Sequence, residues 1–250
     1  TLSQYANVRE SGLESKIGSE ALAAELRNIA NEDKSGEVLE ALEQEKLIYL
    51  FSSALEGQKL NPQGFAKLSK ARELVPFGLD FPVVNLGLFL HLLLEKLNAK
   101  ERAALAKATG LEKEDLALAQ KLETNARKLE KDIKALKFQK PSRLYDMLVK
   151  APGEQLLFLL VRSTERIVQE RIKNYLQKFL PIAQEVTDRE VTAATELEPG
   201  NPKFDKAKRE MIAQRLDAKP KKQEGDTELE AEVAAPPILA NAPRFGTTRG

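Results

Sequence analysis

Apolar residues in this chain recur at helical spacing from end to end, and proline or glycine breaks the pattern at short intervals. No segment sustains the alternation of strands, rich in Val, Ile, Thr and aromatics. A succession of short amphipathic helices can bury its apolar stripes only against one another. The expected fold is therefore all-α, an elongated multi-helix bundle. Ser19-Glu20 opens a helix through Leu22 and Leu26, and Ser35 is expected to cap the next. Asn61-Pro62 reads as a cap followed by proline at the first helical position. Asp80 or Phe81 is expected to open the most apolar helix, which ends near Leu97.

Asn98 caps a helix that Gly110 stops. From about Lys113 to Lys137 the stripe is Leu118, Leu122, Leu129, Ile133 and Leu136. Pro141 and Pro152 open two more helices, and Thr164 caps one that is expected to end before Pro181. Its predicted buried stripe is Val168, Ile172, Tyr175, Leu176 and Phe179. Asp188 to Ala194 and Pro202 to Leu216 are the last helices. Beyond residue 218 there is little to bury, and residues 219–250 read as disordered.

The absence of cysteine excludes disulfides and thiolate chemistry, and a single histidine, His91, excludes multi-histidine metal sites. No glycine-rich phosphate loop is present, and carboxylate pairs such as Glu43 and Glu45 fall on solvated faces. His91, inside a leucine-rich run, reads as a packed histidine. No signal-like start is visible, and the longest apolar run, Val83 to Leu94, is too short to span a membrane. A cytoplasmic location with no membrane partner is the expectation.

The net charge of +1 conceals an uneven distribution: −5 over residues 1–60, +1 over 61–124, +7 over 125–178 and −2 over 179–250. A concentrated positive field points to an anionic partner, nucleic acid ahead of membrane. Arg166 and Lys173 flank the Thr164 helix on one side, Arg171 and Lys178 on the other. Ordinary snorkelling beside an apolar stripe accounts for any one of them; the regional excess favours a collective role. In the tail, Pro199-Gly200-Asn201-Pro202 leads into a helix carrying Lys203, Lys206 and Arg209, with Arg189 just upstream. A helix start there offers backbone N–H groups to a phosphate. The aromatics sit mostly on stripes, so recognition of RNA by backbone and shape is the fitting mode.

Three stretches resemble the C-terminal part of the class II tRNA nucleotidyltransferase and poly(A) polymerase family. Val186-Thr187-Asp188-Arg189-Glu190-Val191, then Pro199-Gly200-Asn201-Pro202 and Leu216-Asp217-Ala218, are similar to its tail pattern I-T-G-x-D-L, P-G-P, L-D-G. Asp188 stands at the glycine of that pattern, and Asn201 is inserted into its P-G-P. Lys140-Pro141-Ser142-Arg143-Leu144-Tyr145-Asp146-Met147-Leu148 resembles the body segment K-P-S-x-L-Y-x-x-L. Ile17 to Leu26 is similar to a neck segment S-x-E-R-I-x-x-E-L, with Glu20-Ala21-Leu22 at its E-R-I.

The resemblance covers about residues 10–217 and implies an end of neck at 1–57, a helical body at 58–180 and an RNA-binding tail at 181–218. The implied function is to hold tRNA, or another RNA 3′ region, for a catalytic head. That head's G-S loop, its D-x-D pair and the E-D-x-x-R nucleotide-reading motif are not among these residues. Mg²⁺ and CTP or ATP are accordingly expected only at the head, with no cofactor and no catalytic residue in this chain. The parent protein would be a template-independent nucleotidyltransferase, for CCA or poly(A) addition. The implied RNA contacts are Arg166, Arg171, Lys173 and Lys178 on the body, and Arg189, Gly200, Lys203, Lys206 and Arg209 on the tail. The alternative is a helical adaptor for protein partners, its basic stretch a solvated face.

Overall fold

A computed structural model describes residues 11–12, 16–135 and 140–218, and every regular element among them is a helix, with no strand. The expected disorder of 219–250 and the stripe position Leu136 lie outside the described residues. The helices are α1 (Ser19–Asn31), α2 (Ser35–Gln44), α3 (Pro62–Arg72), α4 (Asn85–Glu95), α5 (Ala99–Thr109), α6 (Lys113–Ala135), α7 (Pro141–Leu148), α8 (Gly153–Arg162), α9 (Arg166–Asn174), α10 (Leu180–Gln184), α11 (Asp188–Thr195) and α12 (Phe204–Asp217).

The starts of α3 and α5 follow from their cap residues. Asn98 accepts from the Lys100 and Glu101 N–H groups while Glu101 reaches back to the Asn98 N–H, a complete capping box. Gly110, at φ +61°, closes α5 in the left-handed region where glycine carries no Cβ penalty. Asn61 sits at φ 56°, ψ 49° and is almost fully buried. Its side chain accepts from the Gly64 N–H and donates to the Leu92 carbonyl (2.9 Å) and to Glu95 (2.7 Å). One asparagine thus caps α3 and holds the last turn of α4.

α4 is the centre of the assembly. Leu88, Phe89, Leu90, Leu92 and Leu93 on it are fully buried, and it packs mainly against α6. It begins at Asn85, later than its sequence pattern suggests. Pro82 disfavours a helical residue before it, and Asp80 is tied through its backbone N–H and carbonyl to the Gln184 side chain (3.0 and 2.7 Å). The extended segment 79–84 then passes over the start of α8. A Cβ on Gly153 would lie 2.4 Å from the Pro82 carbonyl oxygen, so only glycine permits that approach.

The buried residues of α6 are Ala119, Leu122, Ala126 and Ile133, with Leu129 half-buried against the core, so Leu122, Leu129 and Ile133 of the expected stripe face inward while Leu118 is exposed. Gly87 lets α4 and α6 approach closely: a Cβ there would lie 3.3 Å from the Leu118 Cβ and 3.4 Å from its carbonyl.

α9 does not stop before Pro181. It continues through a single π turn, Tyr175–Phe179, into α10. Proline has no N–H and its ring crowds the carbonyl four residues back. A π turn just upstream of Pro181 is a recognised way of relieving that conflict. The extra residue moves the stripe: Leu180 and Ala183 are buried and Phe179 only half so. The 180/181 boundary between body and tail therefore falls inside continuous helix, and the 57/58 boundary falls inside a short 3₁₀ turn, Gly57–Leu60. One apolar core runs from Leu26 to Leu216, and the chain up to Asp217 forms one compact unit.

The last helix is clamped to the middle of the chain. Asp217 accepts from the Ser142 N–H (3.0 Å) and the Ser142 hydroxyl (2.8 Å) at the start of α7, with Lys140 4.0 Å away. A carboxylate there meets the positive end of the α7 dipole and satisfies an end N–H.

Candidate nucleic-acid interface and charged cleft

The cations of residues 125–217 separate into those engaged by the fold and those that face solvent. Arg171 is engaged: its guanidinium donates to the Ile133 carbonyl in the last turn of α6. Arg166 and Lys206 make exposed pairs one turn along their own helices, with Glu170 at 2.8 Å and Glu210 at 3.8 Å. Exposed pairs of this kind contribute little and are easily exchanged for another anion. Among the described residues no carboxylate lies within ion-pair distance of Lys173, Lys178, Arg189, Lys203 or Arg209, and all five are exposed.

Lys173 lies at the end of α9 just before the π turn and Lys178 lies within it, both exposed. The π turn packs on α7, and α12 packs on α7, α10 and α11, so the body and tail cations lie on adjoining elements.

The tail start differs from the cradle expected there. α12 begins at Phe204, not Pro202. The Asn201 side chain accepts the Lys203 N–H (2.9 Å), and the Phe204 N–H goes to the Asn201 carbonyl (2.9 Å). Asn201 thus supplies internally what a bound phosphate would have supplied, and Asp205 adds a negative charge to the first turn. Gly200 is exposed at φ +99°, a turn former with open space where a Cβ would be. Of the acids on α11, Asp188 pairs with Lys208 (2.7 Å) and Glu190 with Arg215. Neither draws on Arg189, Lys203 or Arg209. The tail's contribution is its side-chain cations rather than its helix end.

A second feature escaped the sequence. A cleft of about 620 Å³ opens between α4, α5, α6 and α8. His91, half-buried, meets Phe158 edge-to-face at 4.9 Å on its floor. Burial and the Arg162 charge hold the imidazole below its ordinary pKa, so it is neutral at pH 7. Arg162 pairs with Glu95, which also accepts from Asn61. Burial alone would raise the Glu95 carboxyl; Arg162, Asn61 and Lys96 outweigh it and hold the group below the usual range. Glu123 is held low by its hydrogen bond to Arg127 (2.6 Å), burial opposing. Arg102 donates from Nε to the Leu94 and Leu97 carbonyls, both at 2.9 Å, at the end of α4. The signal was the four-residue spacing of His91 and Glu95 and of Glu123 and Arg127, hidden by the leucines around the first pair.

Among the described residues no group of His, Asp or Glu is arranged to hold a metal ion, and no helix is long and apolar enough to cross a membrane. Comparison of the chain with protein-family models, with curated proteins and with solved structures returns no match.

Proposed function

We propose that this chain is an RNA-backbone-binding helical region that holds tRNA, or another RNA 3′ region, for a nucleotidyltransferase head carried elsewhere. The observation behind the reading is a group of exposed cations on adjoining elements, Lys173, Lys178, Arg189, Lys203 and Arg209, with no carboxylate within ion-pair distance among the described residues. Cations that the fold does not neutralise keep their counterions until a polyanion displaces them, and that release drives RNA binding. Arg166 and Lys206 join by exchanging a surface carboxylate for a phosphate, whereas Arg171 acts by fixing α9 to α6. Mg²⁺ and CTP or ATP belong to the head in this reading, with CCA or poly(A) addition as the parent activity.

The test is titration of labelled tRNA with the chain over a range of salt. Each phosphate contact adds about 0.9 to the log–log slope on a duplex, so the five cations with Arg166 and Lys206 predict a slope of roughly −6. Alanine at Lys203, Lys206 and Arg209 together flattens it by about 3 and weakens binding at every salt concentration. Affinity that is indifferent to salt, or to that triple change, removes the reading. A second reading, a helical adaptor, draws on Phe77, Val84 and Val149, large apolar residues left exposed. Alanine at these three lowers capture of a protein partner but leaves tRNA binding alone if that reading is right.

A further inference from the structure

We propose that the cleft between α4, α5, α6 and α8 is a binding site for a single nucleobase. Its volume of about 620 Å³ lies within the range of small-ligand sites. Ala103, Ala106 and Ala119 leave the space open, and Leu94, Leu116 and the His91–Phe158 pair make its apolar surface. A flat, weakly polar ring fits such a surface. The charges balance, with Arg102, Arg127 and Arg162 against Glu95, Glu123 and Glu130, and most are already paired with each other or with helix-end carbonyls. The cleft therefore offers no concentrated positive field to a phosphate, in contrast to the exposed cations of α9, α11 and α12.

The remaining hydrogen-bonding capacity is mixed. The Ala119 carbonyl accepts from the neutral His91 ring, whose other nitrogen is then an acceptor. Gln120 on α6 is exposed, with no hydrogen bond from its side-chain amide among the described residues, and supplies both donor and acceptor. Glu130 is half-buried without a hydrogen bond among the described residues and supplies acceptors, and the guanidinium of Arg127 has donors to spare. Donors and acceptors side by side around an apolar floor match the edge of a base. A peptide is the poorer occupant. The walls are helices whose backbone groups are used internally, so no strand edge is available, and charged side chains interrupt the rim.

The experiment is saturation-transfer NMR on the full chain with each of the four ribonucleosides, and ribose as control. At least one nucleoside saturates with a Kd of about 1 mM or tighter, and ribose shows no transfer. Ala106→Leu, which grows into the cleft, and Gln120→Ala, which leaves packing untouched, each weaken that binding tenfold or more. The Gln120→Ala chain keeps the native unfolding midpoint, so its loss is not a loss of fold. If no nucleoside saturates, or if both variants bind like the native chain, the proposal fails. A short single-stranded RNA that displaces the nucleoside assigns the base to bound RNA. A nucleoside monophosphate that binds equally well, with no displacement by RNA, assigns it to a free nucleotide. Alanine at Lys203, Lys206 and Arg209 leaves nucleoside binding unchanged, so the cleft and the phosphate-binding surface succeed or fail separately.

Discussion

Replacing Asn61 tests how the chain joins α3 to α4. Asn61 is buried, left-handed, and bonded through its side chain to Gly64, Leu92 and Glu95. Alanine there loses the cap, at about 1 kcal/mol, and takes on a left-handed backbone, at about 1–2 kcal/mol. It also leaves the Leu92 carbonyl and Glu95 short of a donor, at about 1–3 kcal/mol. The expected loss is about 3–6 kcal/mol. Glycine loses the same donors but not the backbone term, offset in part by the greater freedom of its unfolded chain. Asn61→Gly is therefore more stable than Asn61→Ala by about 1 kcal/mol, the reverse of the usual preference for alanine in and around helices. Urea unfolding followed by far-UV circular dichroism measures both.

A second substitution sharpens that test. A Cβ on Gly64 would lie 2.5 Å from Asn61 Nδ2. Gly64→Ala therefore harms the native chain but not the Asn61→Gly background, a coupling of about 1–2 kcal/mol. Asn61→Ala proving as stable as Asn61→Gly, or the absence of coupling, would refute the assigned geometry.

Three further outcomes follow from contacts described above. Gly153→Ala drives a methyl into the Pro82 carbonyl and lowers stability by about 1–3 kcal/mol, with the segment 79–84 exchanging amide hydrogens faster. Asp217→Ala removes both bonds to Ser142 and costs about 1–3 kcal/mol; combined with Ser142→Ala it shows less than additive loss in denaturant melts. His91 has its pKa lowered in the folded chain from 6.5, so the unfolded chain binds the proton more readily and stability falls as pH drops below 6.5. Glu95 and Glu123, lowered from 4.5, lose their contribution only below 4.5, and a His91→Gln chain shows a flat profile between the two windows.

Several caps were legible, though Ser35 and Thr164, expected as caps, are not: the N-caps there are Lys34 and Glu165. Asn61-Pro62, Asn98 with Glu101, Gly110 and Pro141 each act through a local rule that needs no knowledge of the rest of the chain. Register on the long helices was less legible. On α6, Leu122, Leu129 and Ile133 face the core as the leucine spacing suggests, but Ala119 and Ala126 share the buried stripe and Leu118 is exposed beside Gly87, a pairing between helices that a count of leucines does not contain. Pro181 was read as a stop because its effect inside a helix depends on whether an upstream turn can absorb it; the π turn does. The cationic stretch was visible as composition, but which cations stay unpaired depends on partners such as Glu190 for Arg215 and Ile133 for Arg171, set by tertiary packing. The cleft joins residues from four helices, so no single window of sequence displays it.

The clamp between Asp217 and Ser142 has a consequence for the order in which the protein is made. The two residues are 75 positions apart, and the acceptor is the final residue of the final described helix. A chain emerging from the ribosome folds its N-terminal portion first. The start of α7 then waits with its N–H groups on water until α8 to α12 have been synthesised and docked. A chain cut short before Asp217 leaves that end of α7 uncapped however well the preceding helices pack, so Asp217 marks the point in synthesis at which α7 gains its cap.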